Sequence, residues 1–297
     1  MKPSWCWLSP FVRSVPLFCL YQSDTLAVYE HKGRTYLVMA NEGDARDNGG
    51  GDSEDERRGG TSSLSIELTS APDLARVTLS NIDSARGGSL LFLDSDMRPD
   101  HPGFLRDWAA LVADSDPAVA FGGFSLLQAP TDARFQVHRA MAAKSECVPQ
   151  AERSRQPEKY VYTSNLLVRR DVFESEAFDP GFTGWGWEDV EWAMRVSRRF
   201  TVVHVDNPAT HMGLDTVEAL AGKYEQSAGN FARVVARHPD IVGAYPSYKA
   251  ARLLKKVPAI GAIRPWIKRV ASTTWMPTKA RAFSLRLYRA ALYAGAV

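Results

Sequence analysis

The stretch Ser89-Leu-Leu-Phe-Leu-Asp-Ser-Asp96 decides the fold of this 297-residue chain. Its apolar run lacks alternating polar residues, so it predicts a central strand covered on both faces. Further short apolar runs alternate with helical patterns between about residues 60 and 240, which indicates an α/β sheet with helices on its faces. The other predicted strands lie in 118–127, 160–168 and 200–205, and the predicted helices are 72–85, 102–113, 188–199 and 216–238, the last capped by Asp215.

The composition is that of a soluble globular protein. Apolar residues make up 45% and charged residues 24% of the chain, and the mean hydropathy is -0.25, which excludes a disordered, collagen-like or polytopic membrane protein. Three cysteines without CxxC spacing argue against a disulfide framework and a structural zinc site. Pro10, Arg13 and Pro16 interrupt the apolar N-terminus, so we expect neither a signal peptide nor a spanning helix, and a cytoplasmic location.

The charge is distributed unevenly along the chain. Residues 241–297 contain 11 Lys or Arg and no Asp or Glu, so the net charge of +2 leaves the first 240 residues at -9. Residues 42–56 hold seven carboxylates among glycines and indicate a solvated loop. These changes in composition divide the chain into an atypical N-terminal segment (1–60), an α/β domain (61–240) and a basic helical tail (241–297).

Asp94 and Asp96 directly follow the predicted central strand. In open α/β sheets, ligands bind beyond the carboxyl ends of the strands. Two carboxylates separated by one residue can both face a hard divalent cation that also bridges phosphate oxygens. A turn in which both carboxylates only accept hydrogen bonds from backbone amides is the alternative interpretation.

A glycine- and tryptophan-rich loop, Gly184-Trp-Gly-Trp-Glu-Asp189, delivers two acids into the first turn of a predicted helix. Acids favour a helix N-terminus through the helix dipole, which could explain Glu188 and Asp189 without any function. Exposed indoles beside carboxylates also suit sugar rings, which have apolar faces and polar edges. The two tryptophans therefore favour a sugar-binding site.

His211, within Thr210-His-Met-Gly213, follows the last predicted strand. A single histidine in such a place is more often structural than a ligand. The remaining histidines lack an acidic partner at metal spacing, so a structural role is predicted for them as well. They are His31, His101, His138, His204 and His238.

From about residue 73 to 240 the chain resembles a GT-A glycosyltransferase of the family 2 type. The Gly184–Asp189 loop matches the Gly-Trp-Gly-x-Glu-Asp motif shared with β-1,4-galactosyltransferase-like enzymes. The other resembling segments are 74–87, 91–97 and 163–167, in the family's order and spacing. The resemblance implies a GT-A-like, Rossmann-like mixed sheet with helices on both faces.

The resemblance also implies roles for the site residues. Asp94 and Asp96 would form the DxD motif, with Asp96 binding the metal and Asp94 near the donor nucleotide. His211 would be a further metal ligand, and Asp189 the catalytic base, assisted by Glu188. The acceptor would contact Trp185, Gly186, Trp187 and Glu188.

These roles imply metal-dependent, inverting transfer of a sugar from a nucleotide-sugar, with a UDP-sugar as the expected donor. The acceptor would be a hydroxyl of a glycan or a lipid-linked glycan of the cell envelope. An oxygen-rich site with one histidine ligand favours Mn²⁺, with Mg²⁺ as the alternative. A catalytically silent fold that binds sugars is a second hypothesis.

The N-terminal region departs from the GT-A pattern. Strands ending in Pro-Thr-Tyr-Asn and Asp-Asp-Gly-Ser, which hold the uridine in such enzymes, are missing, so the nucleotide-binding half is expected to be truncated or replaced. Residues 23–47 instead are similar to a piece of choice-of-anchor, propeller-like proteins. In a less favoured alternative, residues 35–40 and the acids after them substitute for the missing strand.

The basic tail suggests a third hypothesis, a peripheral binder of membranes or nucleic acid. The tail interleaves its charges with aromatic residues, and between residues 280 and 293 Phe283, Leu287 and Ala291 recur at helical spacing. Attachment to an anionic membrane surface, at the inner face of the membrane, is favoured over nucleic-acid binding. The basic residues opposed to these apolar ones are Arg281, Arg286 and Arg289.

Overall fold

The computed structural model describes residues 88–94 and 96–297 throughout, and four strands before them. Those four strands are β1 (Thr25–His31), β2 (Arg34–Ala40), β3 (Leu64–Leu68) and β4 (Leu79–Asn81). The remaining strands are β5 (Ser89–Leu93), β6 (Met97–Pro99), β7 (Val119–Phe121), β8 (Phe124–Ser125), β9 (Asn165–Arg169), β10 (Val202–His204) and β11 (Ala209–His211).

Ten α-helices lie within the described part of the chain. The first five are α1 (Phe104–Ser115), α2 (Gln136–Ser145), α3 (Gln150–Arg153), α4 (Arg170–Ser175) and α5 (Glu188–Val196). The others are α6 (Val217–Arg237), α7 (Pro239–Val242), α8 (Pro246–Leu254), α9 (Ile260–Ser272) and α10 (Thr278–Ala294).

The central sheet has six strands in the order β10-β7-β9-β5-β3-β4. Only the β10–β7 pair is parallel, and the four other pairs are antiparallel. A separate three-stranded sheet has the order β6-β11-β8, with β11 antiparallel to β6 and parallel to β8. The central sheet carries the core, and β6 of the small sheet follows β5 in sequence after three residues.

Both faces of β5 are buried, because helices cover the central sheet on both sides. Leu91 packs in one cluster with Phe104 and Trp108 of α1. Phe92, the next residue along the strand, packs in another cluster with Trp192 of α5. Successive side chains of a strand point to opposite faces, which explains why the run of apolar residues is continuous.

The C-terminal helices complete a third apolar cluster with α2 and α6, to which Ile267 of α9 and Leu285 of α10 contribute. The Arg281 side chain of α10 is buried, and its Nε donates to the Ala271 carbonyl of α9 at 2.9 Å. Ala291 is also buried, so the predicted amphipathic, membrane-binding surface of α10 is wrong at Arg281 and Ala291, which pack inside the molecule. No helix in the described residues is long and apolar enough to span a bilayer.

The predicted α/β class, a mixed sheet with helices on both faces, is confirmed. The predicted helix 72–85 is wrong at Leu79–Asn81, which is an edge strand. Thr216 rather than Asp215 caps α6, since its side chain accepts a hydrogen bond from the Ala219 N–H. The neighbour of β5 opposite β9 is β3, whereas residues 34–40 pair with β1. The acidic segment 42–56 lies outside the described residues.

We expect Leu167→Ala to lower the free energy of unfolding by about 2–5 kcal/mol, because it leaves a cavity in the middle of the sheet. Leu167 lies on β9 and is fully buried. Leu127→Ala is the matched control, since that side chain is 74% exposed. Urea denaturation monitored by circular dichroism measures both, and equal effects of the two substitutions would contradict this position of β9 in the core.

Candidate functional site

Asp94 is held at the end of β5 by the residues that precede β9. The antiparallel register pairs Leu93 with Asn165. The Asp94 N–H donates to the Ser164 carbonyl at 3.4 Å, and the Ser164 hydroxyl donates to the Asp94 carboxylate. Burial raises the pKa of Asp94 above its usual value, and the charge of Asp96 raises it further. The hydrogen bond from Ser164 lowers the pKa but does not outweigh these two effects.

Asp96 and His211 meet across the small sheet. The β6–β11 register pairs Met97 with His211, and the Met212 N–H donates to the Asp96 carbonyl at 2.7 Å. This backbone frame brings His211 Nε2 to 3.1 Å from Asp96 Oδ2. Burial alone would lower the pKa of His211, but the hydrogen bond and the charge of Asp96 outweigh burial and raise it.

This pair of side chains fits a divalent cation. Ligand atoms bound to one metal at about 2.0–2.2 Å lie about 3 Å apart when they occupy adjacent positions. The 3.1 Å between the Asp96 and His211 atoms matches that separation. A carboxylate with an imidazole is a donor set suited to Mn²⁺ and other transition metals, and Asp94 adds negative charge nearby.

A second group of ligand atoms adjoins His211 on the side of α2. Ligand atoms of His138, Glu146 and His211 lie within 4.8 Å of one another. His211 Nδ1 is buried and has no hydrogen-bond partner. His138 Nδ1, however, accepts a hydrogen bond from the Asp215 N–H at 2.7 Å, and burial lowers the pKa of His138 to about 4.

A neutral His138 that accepts through Nδ1 must carry its proton on Nε2, so it has no free lone pair for a metal. A neutral His211 has a single lone pair as well, and it can ligate a metal on the Asp96 side or on the Glu146 side, but not both. The geometry therefore favours one cation at Asp96. Glu146 has a ligand atom within 4.8 Å of one of His211, so a shift of its side chain would let it accept a hydrogen bond from the Nδ1–H that His211 carries when Nε2 binds metal.

Asp189 is half-buried, and residue 163 holds its carboxylate. The Thr163 N–H donates to Asp189 Oδ2 at 3.3 Å, and the Thr163 hydroxyl donates to Oδ1 at 3.3 Å. Burial raises the pKa of Asp189 well above its usual value, and the charges of Glu188 and Asp94 add to this effect. Asp189 is thus a stronger base than a solvated aspartate.

Glu188 lies beside Asp189 at the first position of α5. Burial raises its pKa too, and so does the charge of Asp94, while the backbone N–H groups of Glu188 and Gly186 oppose this rise. One of its carboxylate oxygens, Oε2, is buried without a hydrogen-bond partner. A buried acceptor in that state costs free energy unless a ligand donates to it.

The loop before these acids has a strained backbone. Gly184, Gly186 and Trp187 all have positive φ, and the value of 79° at Trp187 is unfavourable for a bulky residue. α6 supports the loop, because Gln226 Oε1 accepts from the Trp185 N–H at 3.2 Å and Asn230 Nδ2 donates to the Gly186 carbonyl at 2.9 Å. Such strain persists only where the surroundings impose it, as at functional sites.

The two tryptophans of the loop have different surroundings. Trp187 packs against Phe231 and Tyr293, and its indole N–H donates to the Tyr293 hydroxyl at 2.9 Å. Trp185 is 41% exposed and packs beside Tyr224, with the Lys223 ammonium over its ring. Trp185 therefore offers the accessible indole surface, while Trp187 anchors the loop.

The structure brings Asp94, Asp96 and His211 together, and it places Glu188 and Asp189 within electrostatic reach of Asp94. Sequence reasoning did not assign roles to Thr163 and Ser164, although they fall in a segment that resembles the glycosyltransferase family. It also missed Glu146 and gave His138 a purely structural role. No local pattern marks these two, because α2 reaches His211 only through tertiary packing.

Comparison with known proteins gives two kinds of likeness. A family model for the choice-of-anchor I domain matches residues 9–102, and the predicted resemblance of residues 23–47 lies within this match. No curated protein matches the chain. Among solved structures, S. aureus TarS 1-349 in complex with UDP-GlcNAc is similar at a TM-score of 0.34 and 15% identity, covering 72% of this chain and 68% of that one. A second structure of S. aureus TarS 1-349 is similar at a TM-score of 0.30 and 11% identity, covering 72% of this chain and 66% of that one.

We expect Gly213→Ala to weaken Mn²⁺ binding by about 10–100-fold, since it displaces a ligand without removing one. A Cβ on Gly213 would lie 1.9 Å from Asp96 Oδ2. Gly222→Ala on α6 is the matched control, because a Cβ there meets no atom within 4 Å. Calorimetric titration with Mn²⁺ measures both variants, and unchanged affinity in Gly213→Ala would contradict Asp96 as a ligand.

We also expect Asp189→Asn to raise the free energy of unfolding at neutral pH. Because the folded-state pKa of Asp189 is raised, its favourable contribution is complete below the unfolded-state pKa and is lost as the pH rises through the folded-state pKa. Asparagine carries no charge, so the variant avoids the destabilising effect of the ionised carboxylate at neutral pH and gains nothing at acidic pH, where Asp189 is itself protonated. Thermal unfolding across pH measures this, with Asp114→Asn on the exposed side of α1 as the control. A stabilisation by Asp189→Asn that persists unchanged at acidic pH would argue against this electrostatic cause.

Proposed function

We propose that the chain is a metal-dependent inverting glycosyltransferase, which moves a sugar from a nucleotide-sugar to a hydroxyl group. The observation that carries this proposal is that a carboxylate–imidazole pair, Asp96 and His211, lies just after β5, with the half-buried basic carboxylate Asp189 within electrostatic reach of Asp94 at the end of that strand. Asp96 and His211 suit the leaving diphosphate, and Asp189 suits the incoming hydroxyl. Transfer of the sugar requires one site that holds both a group to stabilise the leaving diphosphate and a base for the attacking hydroxyl.

On the donor side, Asp96 and His211 would hold Mn²⁺ or Mg²⁺, which when bound supplies positive charge against the diphosphate of the leaving group. His211 would bind through Nε2, and Glu146 would accept a hydrogen bond from the Nδ1–H and so keep the ring in that orientation. Asp94 would lie next to the nucleotide. A UDP-sugar is the proposed donor.

On the acceptor side, Asp189 would accept the proton of the attacking hydroxyl. As the acceptor oxygen forms its bond to the anomeric carbon from the face opposite the diphosphate, the bond from that carbon to the diphosphate oxygen breaks, and configuration inverts. The leaving nucleoside diphosphate takes the electron pair of the broken bond. The raised pKa of Asp189 is what makes it effective as a general base.

The exposed Trp185 would stack against the acceptor sugar, and the unpartnered Oε2 of Glu188 would accept a hydrogen bond from one of its hydroxyls. Gly186 allows close approach because it lacks a side chain, and Trp187 would support the loop from behind. A glycan or lipid-linked glycan of the cell envelope is the proposed acceptor. A site that binds sugar without any nucleotide would instead identify a catalytically silent sugar-binding fold.

The test measures nucleotide binding and turnover separately. Calorimetry with UDP and Mn²⁺ should give binding to the wild-type chain and to Asp189→Asn, and loss of binding in Asp96→Asn. Turnover, measured as UDP released from a panel of UDP-sugars with and without glycan acceptors, should fall by about 10²-fold or more in Asp189→Asn. Wild-type turnover should rise with pH through the raised pKa of Asp189, because the base must be deprotonated. Asp114→Asn is the control for both measurements.

Two results would contradict the proposal. One is a wild-type chain that binds no nucleoside diphosphate in the presence of Mn²⁺, which would contradict the proposed donor site. The other is unchanged turnover in Asp189→Asn, which would contradict the role of Asp189 as the general base. Trp185→Ala should raise the KM for the acceptor and leave UDP affinity unchanged, since the indole lies on the acceptor side of the site.

A further inference from the structure

Exposed apolar side chains are concentrated in the C-terminal helices. Of the nine large apolar side chains exposed in the described residues, seven lie between residues 253 and 283. Ile263, Trp266 and Val270 follow one another at helical spacing along one side of α9, and Trp275 follows shortly after the helix ends. We call these four residues the α9 stripe. Trp266 is 69% and Trp275 is 83% exposed, which is unusual for such large apolar groups.

The rest of the fold holds α9 in place along the side of the helix next to the α9 stripe. Ile267 and Ala271 are buried, and the Ser284 hydroxyl of α10 donates to the Ile267 carbonyl at 2.8 Å. Arg281 makes the corresponding bond to the Ala271 carbonyl. The α9 stripe is therefore exposed on a helix that is already formed and packed, and a partner can bind it without first ordering the chain.

Positive charge surrounds the α9 stripe. Arg269 lies on α9 itself and Lys279 begins α10, and both side chains are exposed. No acid occurs in residues 241–297. The acids that approach these helices from α6 are engaged already: Glu225 pairs with Lys268 and Tyr288, and Glu218 accepts from Ser272. Further exposed basic residues lie at the end of α8 and before α9, namely Arg252, Lys255 and Lys256.

We propose that the α9 stripe docks into the interfacial region of a bilayer that contains anionic lipids. Tryptophan favours the boundary between headgroups and acyl chains, and aliphatic side chains beside it enter the apolar layer. Exposed lysines and arginines would contact the anionic headgroups at the same time. This inference is independent of the proposed enzymatic function.

Charge distinguishes this partner from the alternatives. A second copy of the chain would bring the same basic surface to the stripe, and like charges would oppose that contact. A nucleic acid would satisfy the charges, but Ile263 and Val270 have no planar surface on which a base could stack. An anionic bilayer satisfies the apolar and the basic residues together.

The experiment is vesicle flotation of the full-length chain. The whole chain is needed because α9 and α10 share a core with α2 and α6. Vesicles of phosphatidylcholine alone are compared with vesicles that also contain phosphatidylglycerol. Trp266→Ser combined with Trp275→Ser tests the apolar contribution, and Leu127→Ser, another exposed apolar residue, is the matched control. Arg269→Gln combined with Lys279→Gln tests the charge, with exposed Lys144→Gln on α2 as the control.

We expect flotation with the phosphatidylglycerol vesicles only, its loss in the double tryptophan variant, and affinity lowered by about fivefold for each basic residue removed. The two control variants should float like the wild type. Equal flotation with both kinds of vesicle, or none with either, would overturn the proposal. So would a dimer in solution, measured by light scattering, that the tryptophan substitutions dissociate.

Discussion

The antiparallel pairing of β5 with β9 is the constraint on which the candidate site depends. Its register sets Leu93 opposite Asn165 and so places Asp94 beside Ser164. A slip of one residue would exchange the two faces of β5 and also move Asp94 away from its hydrogen-bond partner. Because Thr163 holds Asp189, adjacent residues of one segment position Asp94 and Asp189, the two acids that we propose for the donor and the acceptor.

The fold tolerates an electrostatic arrangement that is unfavourable for stability. Asp94, Glu188 and Asp189 are each only partly exposed, and their partial burial raises the pKa of each. The hydrogen bonds from Ser164 and Thr163 compensate for this only in part, and a bound cation or a hydroxyl group would stabilise the ionised acids further. Their cost is offset by the two apolar clusters that cover the central sheet, whose packing does not depend on the site.

Sequence reasoning predicted the features that depend on short-range pattern. The apolar run of β5 predicted a strand buried on both faces. The acids after it were predicted to lie beyond the carboxyl end of that strand, where a ligand could bind. The error on α10 has a physical reason: periodicity marks which residues share a face, but not which face is buried. The Arg281 side chain turns inward, where a carbonyl of α9 accepts a hydrogen bond from its Nε–H. Sequence reasoning also missed Glu146, because His211, its neighbour in the structure, lies 65 residues away in the sequence and no local pattern connects the two.

The contact between Trp187 and Tyr293 joins residues 106 positions apart, and that between Asp96 and His211 joins residues 115 positions apart. A chain synthesised from its N-terminus at about 5–20 residues per second would make residue 293 about 5–20 s after residue 187. Throughout that interval the strained loop lacks the hydroxyl that anchors its indole. The apolar clusters around β5 can form earlier, since they need no residue beyond β10 and α5 apart from Ala209. The loop of residues 184–189 is then among the last parts of the molecule to reach its final conformation, well after the sheet that supports it.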